Sequence, residues 1–347
     1  MTAGRRGGGE AGMRLGREVR MSDTFFTAAP HWTWWIILYF FIGGMAGTAF
    51  MLASLMDWGS RQSSVVSRQQ VMSHESRVAR TAAPLVRYGY YLAFVGVCVS
   101  GFLLTIDLTR PLRFWHMLIE NHTGQPMFKA WEPMSVGSWA LVIFGLFSFL
   151  TTLSVLREDW PRLGLLRSAP VRFLRRPGPG VVLAILGTIA GLFIAGYTGV
   201  LLAVSNRPVW ADSHLLGLLF LVSGTSSGAS ALVLLAVRRR VAEPSTVGWL
   251  VWFDCNVLRL ELLVLIAFLI SLGSVARVYL SWWGVLLLLG VVGLGIVLPL
   301  REEHRPHTPR QVARTASLVL LGGFLLRMVV LLSSEQIHVL GSGVTGP

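Results

Sequence analysis

The sequence predicts an all-α polytopic membrane protein with eight transmembrane helices. Three observations predict it. Of the 347 residues, 53% are hydrophobic and only 14% are charged, against about 25% charged in soluble domains. The mean hydropathy is +0.62. Apolar stretches of about twenty residues recur along the chain, each long enough to cross a bilayer core. Backbone polar groups in lipid must bond within their own segment, so the stretches read as helices. They cover 32–56, 85–106, 134–156, 181–204, 213–237, 247–272, 281–300 and 313–334.

Residues 1–30 precede the first span. The opening twenty, MTAGRRGGGEAGMRLGREVR, are rich in Gly and charge and lack the apolar core of a signal peptide. They read as a disordered arm, and a start at Met21 would remove them. In the first span His31, Trp35, Tyr39, Gly43 and Gly47 recur at four-residue steps and share one helical face. Gly43 and Gly47 allow a neighbouring helix to approach closely. Toward the start of the span the same face offers an imidazole, an indole and a phenol. That set suits either an aromatic belt or a ligand site.

The second span ends in an exit that a stop signal does not require. SGFLLTIDLTRPLRFW is repeated in kind at the end of the fourth span as TGVLLAVSNRPVW. Each runs from a small residue and Gly through Leu-Leu to Arg-Pro and Trp. Proline ends the first helix and suits the first turn of a new one. PLRFWHMLIE therefore reads as a short interfacial helix, with Phe114 and Trp115 on its apolar side and Arg113 and His116 on its polar side. Asp107 sits at a helix C-terminus, where the dipole disfavours an anion, so Arg110 or Arg113 is its expected counter-charge. A carboxylate, a histidine and aromatic rings at membrane depth suit a hydrophobic ligand carrying two carbonyls or hydroxyls, such as a quinone. Asp107 or His116 would exchange its protons, and Tyr197 would hydrogen-bond an oxygen. An interface anchor with a salt bridge is the other reading of the same residues.

In the fifth span Gly224 and Gly228 read as packing residues. The sixth carries Asp254, Arg259 and Glu261, and the eighth carries Arg327. A charge at the helix centre costs roughly 2.5–3.5 kcal/mol on translocon scales. Asp254 and Glu261 are seven apart and share a face. Arg327 or Arg259 is the expected partner of Glu261. The group fits a buried ion pair that fixes packing or a proton path. Arg87 and Arg314 lie near span ends and can snorkel.

The net charge of +13 would suggest nucleic acid in a soluble protein. Here the arginines fall between spans, so no nucleic-acid partner is expected. Loops 57–84, 157–180, 238–246 and 301–312 hold sixteen Lys+Arg; loops 107–133, 205–212 and 273–280 hold five. The positive-inside rule puts the first set in the cytoplasm. An even number of spans then puts both termini outside the cytoplasmic membrane, against the five arginines of residues 1–20. The two cysteines, Cys98 and Cys255, cannot hold an iron–sulfur cluster or a structural zinc alone. All eight histidines lie at span ends or in loops, so no bis-histidine haem, and no metal, is expected within the bilayer.

HWTWWIILYFFIGGMAG, DLTRPLRFWHML, EPMSVGSW, YTGVLLAVSNRPVW and LLFLVSGTSSGAS together resemble the polysulfide-reductase membrane-subunit family, also called NrfD/PsrC, from His31 to about residue 335. The resemblance implies two four-helix bundles and a haem-free quinone site near the outer face, with menaquinone the expected quinone. It implies a four-cluster ferredoxin-like iron–sulfur partner and a molybdopterin catalytic subunit. By position, Tyr197 matches a pocket tyrosine, and Tyr39 stands where some members have a pocket histidine. His31 would compensate for that difference. Asp107, Arg113 and His116 lie in the first exit, Asn206 and Arg207 in the second. Asp254, Glu261, Arg259 and Arg327 are the expected proton path.

The expected organisation is thus an arm over 1–30, spans one to five with the quinone site over 31–240, spans six to eight over 241–335, and a tail over 336–347. The expected function is exchange of electrons between membrane quinone and an extracytoplasmic iron–sulfur subunit. A secondary transporter with a mid-membrane ion pair, and a passive membrane anchor, are the alternatives.

Overall fold

Proline sets the start of four spans, because its missing N–H costs nothing in a first helical turn. Pro133, Pro177, Pro244 and Pro309 open the helices of spans three, four, six and eight. The computed structural model describes residues 34–66, 74–108, 110–120, 123–160, 168–174, 176–205, 207–302 and 308–342. The expected arm over 1–30, which includes Met21, and also His31 and Asn206, lie outside the described residues.

Spans one to four are the helices Trp34–Val66, His74–Asp107, Pro133–Asp159 and Pro177–Ala203. Spans five and six are Leu216–Arg239 and Pro244–Ser271. Span seven runs Trp282–Glu302 and span eight is Pro309–Ser342. Seven of these are long and apolar enough to cross a membrane alone. Span six carries three charges and continues, after a 110° bend, into the 3-10 helix Gly273–Leu280. Gly273 makes that bend at φ +52, a conformation open to glycine at little cost. The fold is all-α, as expected.

The contacts form two bundles. Span one packs on spans two and four, and span three on spans two and four. Span five packs on spans six and eight, and span seven on span eight. Spans one and five join the bundles. Phe50 is fully buried, 5.1 Å from Tyr90 and 5.8 Å from Phe144 between ring centres, in the edge-on geometry that aromatic pairs favour. At the arginine-rich end Arg87 holds Asp159 at 2.5 Å and Tyr91 donates to the same carboxylate at 2.6 Å. This pairs span two with span three where snorkelling was expected.

The glycines of span one do what their spacing suggests. A Cβ at Gly47 would lie 2.7 Å from the Gly191 carbonyl carbon of span four, so only backbone fits there. Gly47→Leu is expected to cost more than about 3 kcal/mol, the upper end of ordinary overpacking. Loss of monodisperse protein and a lowered melting midpoint would show it. Gly59→Ala, where an added Cβ meets open space, is the control.

The two exits differ in structure. Pro111–Met117 is a short 3-10 helix, close to the expected interfacial helix. Pro208 begins a turn instead. Val209, fully buried, sits at φ 73 with its N–H on Asp212 Oδ2 at 2.9 Å. A β-branched residue there is strained. The turn drives Trp210 into the second bundle, where its indole donates to Val330 O at 2.9 Å.

Candidate functional site

Two buried polar constellations stand out, one in each bundle. The first lies at the arginine-poor end of spans one to four. Tyr39 is 3% exposed, one turn into span one. Tyr197, near the end of span four, donates its hydroxyl to the Pro133 carbonyl at the start of span three. Phe193 stacks on the Tyr197 ring at 5.5 Å. Gly137 makes room for that ring: a Cβ there would lie 2.5 Å from Tyr197 Cζ.

Span two contributes Ser100, which the sequence alone did not single out. Its side chain is fully buried, and its hydroxyl has no hydrogen-bond partner among the described residues. Ser100 Oγ, the Tyr39 ring and Ile194 surround Gly43, at 3.4, 3.7 and 3.7 Å from an ideal Cβ. A serine inside a helix usually bonds a carbonyl one turn back. An unpaired buried hydroxyl costs about 1–3 kcal/mol, so one kept near the Tyr39 ring needs a reason.

Asp107 and His116 belong to the rim at this end. Asp107 closes the second span and is half-buried. His116 is half-buried against Trp115, with ring centres 3.8 Å apart, and Arg113 is exposed. Arg207 departs from the expected grouping. It is 3% exposed, lies 5.2 Å from the Trp210 ring and donates to Ser334 Oγ at 3.5 Å. The turn at Val209 carries it to span eight.

The second constellation occupies the middle of spans five, six and eight. Ser226 and Ser230, one turn apart, donate to the Asp254 carboxylate at 2.7 and 2.5 Å. Asp254 and Glu261 are both buried, at 7% and 3% exposure, so the shared face holds. Arg327 is fully buried. Its guanidinium donates to Gly323 O at 2.8 Å, Phe220 O at 3.2 Å, Ser223 Oγ at 3.2 Å and Phe40 O at 3.3 Å. It also lies 5.2 Å from the Phe220 ring and 5.7 Å from the Phe41 ring, within cation–π range. Gly44 and Gly224 form its seat: a Cβ on either would meet Arg327 Nη2, at 3.2 and 3.5 Å.

One expected pairing is not a direct contact, and one expected member falls away. Glu261 and Arg327 form no ion pair within contact distance among the described residues. Ser223 accepts from Arg327 at 3.2 Å. Arg259 leaves the group, because it lies on the opposite side of its helix from Glu261. It is exposed and donates to Asn256 Oδ1 at 3.0 Å.

A small cavity of about 30 Å³ runs from Asp254 and Ser230 to Glu302 and Thr315 at the arginine-rich end. That is the space of about one water molecule. Thr315 donates to Glu302 at 2.5 Å. Among the described residues no three His, Cys, Asp or Glu side chains are placed to hold a metal ion.

Comparison with known proteins gives the same extent as the fold. A family model described as polysulphide reductase, NrfD, matches residues 23–339. A polysulfide reductase chain from Wolinella succinogenes is 26% identical over 329 residues, covering 88% of this chain and 94% of that protein. Protein NrfD of Escherichia coli is 27% identical over 339 residues, covering 91% and 99%. A selenate reductase subunit from Mesobacillus selenatarsenatis is 22% identical over 248 residues, covering 64% and 51%.

Proposed function

Since the chain belongs to the NrfD polysulphide reductase family, we propose that it is the quinone-reactive membrane subunit of a respiratory reductase. Electrons pass between the membrane quinone pool, menaquinone in the first instance, and an iron–sulfur subunit docked at the arginine-poor face. That face is extracytoplasmic. A molybdopterin subunit completes the complex and sets its terminal substrate. Relatives named as parts of polysulfide and selenate reductases support this assembly.

The observation that carries the proposal is the hydroxyl group set of the first bundle. Tyr39 and Ser100 flank Gly43 together with Ile194, and Tyr197, one turn beyond Ile194, lies over Gly137; the Ser100 hydroxyl has no partner among the described residues. The three hydroxyls suit the two oxygens of a quinone head group. Tyr197 gives up its bond to Pro133 when it turns to the ligand. Asp107 and His116, on the rim, carry protons between the ligand and water. Tyr197→Phe and Asp107→Asn are expected to lower quinone turnover by tenfold or more in the assembled complex, with the subunit ratio unchanged. Wild-type turnover in both variants would remove this site.

The cavity between Glu302 and Asp254 favours a second role for spans five to eight. Glu302, Asp254 with its two serines, and Glu261 with Ser223 and Arg327 make a proton path from the arginine-rich face. The same observation weakens the transporter reading, because the expected mid-membrane ion pair is absent among the described residues and the polar chain opens onto a space of water size.

A further inference from the structure

At the arginine-rich end, spans five, six and eight diverge around a groove of about 740 Å³. Ala236 and Val237 form one wall, Val251 and Val312 the others, and Trp252 stands 58% exposed at the margin. Gly248 lowers the floor: a Cβ built there meets nothing within 4 Å. Arg240 lines the mouth and is exposed. Arg238 and Arg239 precede it in the last turn of span five, and Arg310 and Arg314 face the same end from span eight; all four are exposed. Against these five cations the nearby acids among the described residues are Glu243, half-buried at the helix start, and Glu302, bonded to Thr315.

We infer that this groove is a binding site for an anionic glycerophospholipid. Its phosphate group lies at Arg240, and an acyl chain lies along Val237, Val251 and Trp252. Two properties exclude simpler occupants. An apolar trough in the membrane accepts an acyl tail, which free phosphate lacks. The one-sided charge at the mouth selects an anionic head over a zwitterionic one, since each base near a membrane surface attracts anionic lipid. The site is separate from the hydroxyl set of the first bundle and does not rest on the quinone reading.

Native mass spectrometry of delipidated protein, offered equal phosphatidylglycerol and phosphatidylcholine, tests it. Wild type is expected to retain one phosphatidylglycerol in preference to phosphatidylcholine. Arg240→Gln should reduce that preference about fivefold, the share of one guanidinium. Gly248→Trp should fill the groove and abolish retention of either lipid, while the melting midpoint of the delipidated protein stays unchanged. Equal retention of both lipids by wild type would overturn the proposal. So would undiminished phosphatidylglycerol retention by Gly248→Trp, or a co-purified quinone displaced by that variant in place of lipid.

Discussion

Arg327→Leu is expected to prevent recovery of folded protein, the largest effect of any single change in the second bundle. The side chain is fully buried and gives four hydrogen bonds to spans one, five and eight. Three of its acceptors are backbone carbonyls. Removing one partner of a buried charged group costs about 3–5 kcal/mol, which is a large share of a typical folding free energy of roughly 5–15 kcal/mol. Leucine also empties the seat over Gly44 and Gly224. Arg327→Lys should recover only part of the loss, because an ammonium cannot fork between the Phe40 and Phe220 carbonyls. The fraction of monodisperse protein after solubilisation, with melting midpoints, reads the series. Equal recovery of Arg327→Leu and wild type would mean that the arginine is not what joins the bundles.

Gly137→Ala should nearly abolish binding of a quinol analogue. The new Cβ would fall 2.5 Å from Tyr197 Cζ and closer still to its hydroxyl. The ring cannot slide back, because Phe193 stacks on it. Tyr197 must therefore turn out of its place and take its hydroxyl with it. Tyr197→Phe removes only a hydrogen bond, about 1–3 kcal/mol when the partner is buried, or roughly five- to hundredfold in affinity. Gly137→Ala displaces the whole ring and should exceed that. The double variant Gly137→Ala/Tyr197→Ala relieves the clash, so its normal melting midpoint with lost binding would separate displacement from misfolding. Binding within twofold of wild type in Gly137→Ala would contradict the placement of Tyr197.

The spans were legible because each problem is local. An apolar run of bilayer length and a proline at its start report on one helix without reference to any other. A spacing of seven puts Asp254 and Glu261 on one face for the same reason. The partners of those groups were not legible. Ser226 and Ser230 look like packing residues in SGTSSGAS until Asp254 is brought against them from another helix. Gly44, one residue from the glycine pair that was read, has its role only because Arg327 arrives from 283 positions away. Proximity in sequence groups Arg259 with the buried charges, whereas the helical turn puts it on the exposed side. The second exit repeats the first in its residues, but the strained turn at Val209 sends Arg207 and Trp210 into the other bundle. For Ser100 a signal existed only in part: a lone serine in an apolar span next to Gly101 gives no hint that its hydroxyl stays unpaired.

The most direct test of the central claim is a fluorescence-quench titration of the quinol analogue HQNO against the purified protein, wild type beside Tyr197→Phe. Saturable quenching near one equivalent, weakened in the variant, is the predicted result. Well-folded protein that shows no saturable quenching, or a variant that binds as tightly as wild type, would contradict a quinone site built from Tyr39, Ser100 and Tyr197.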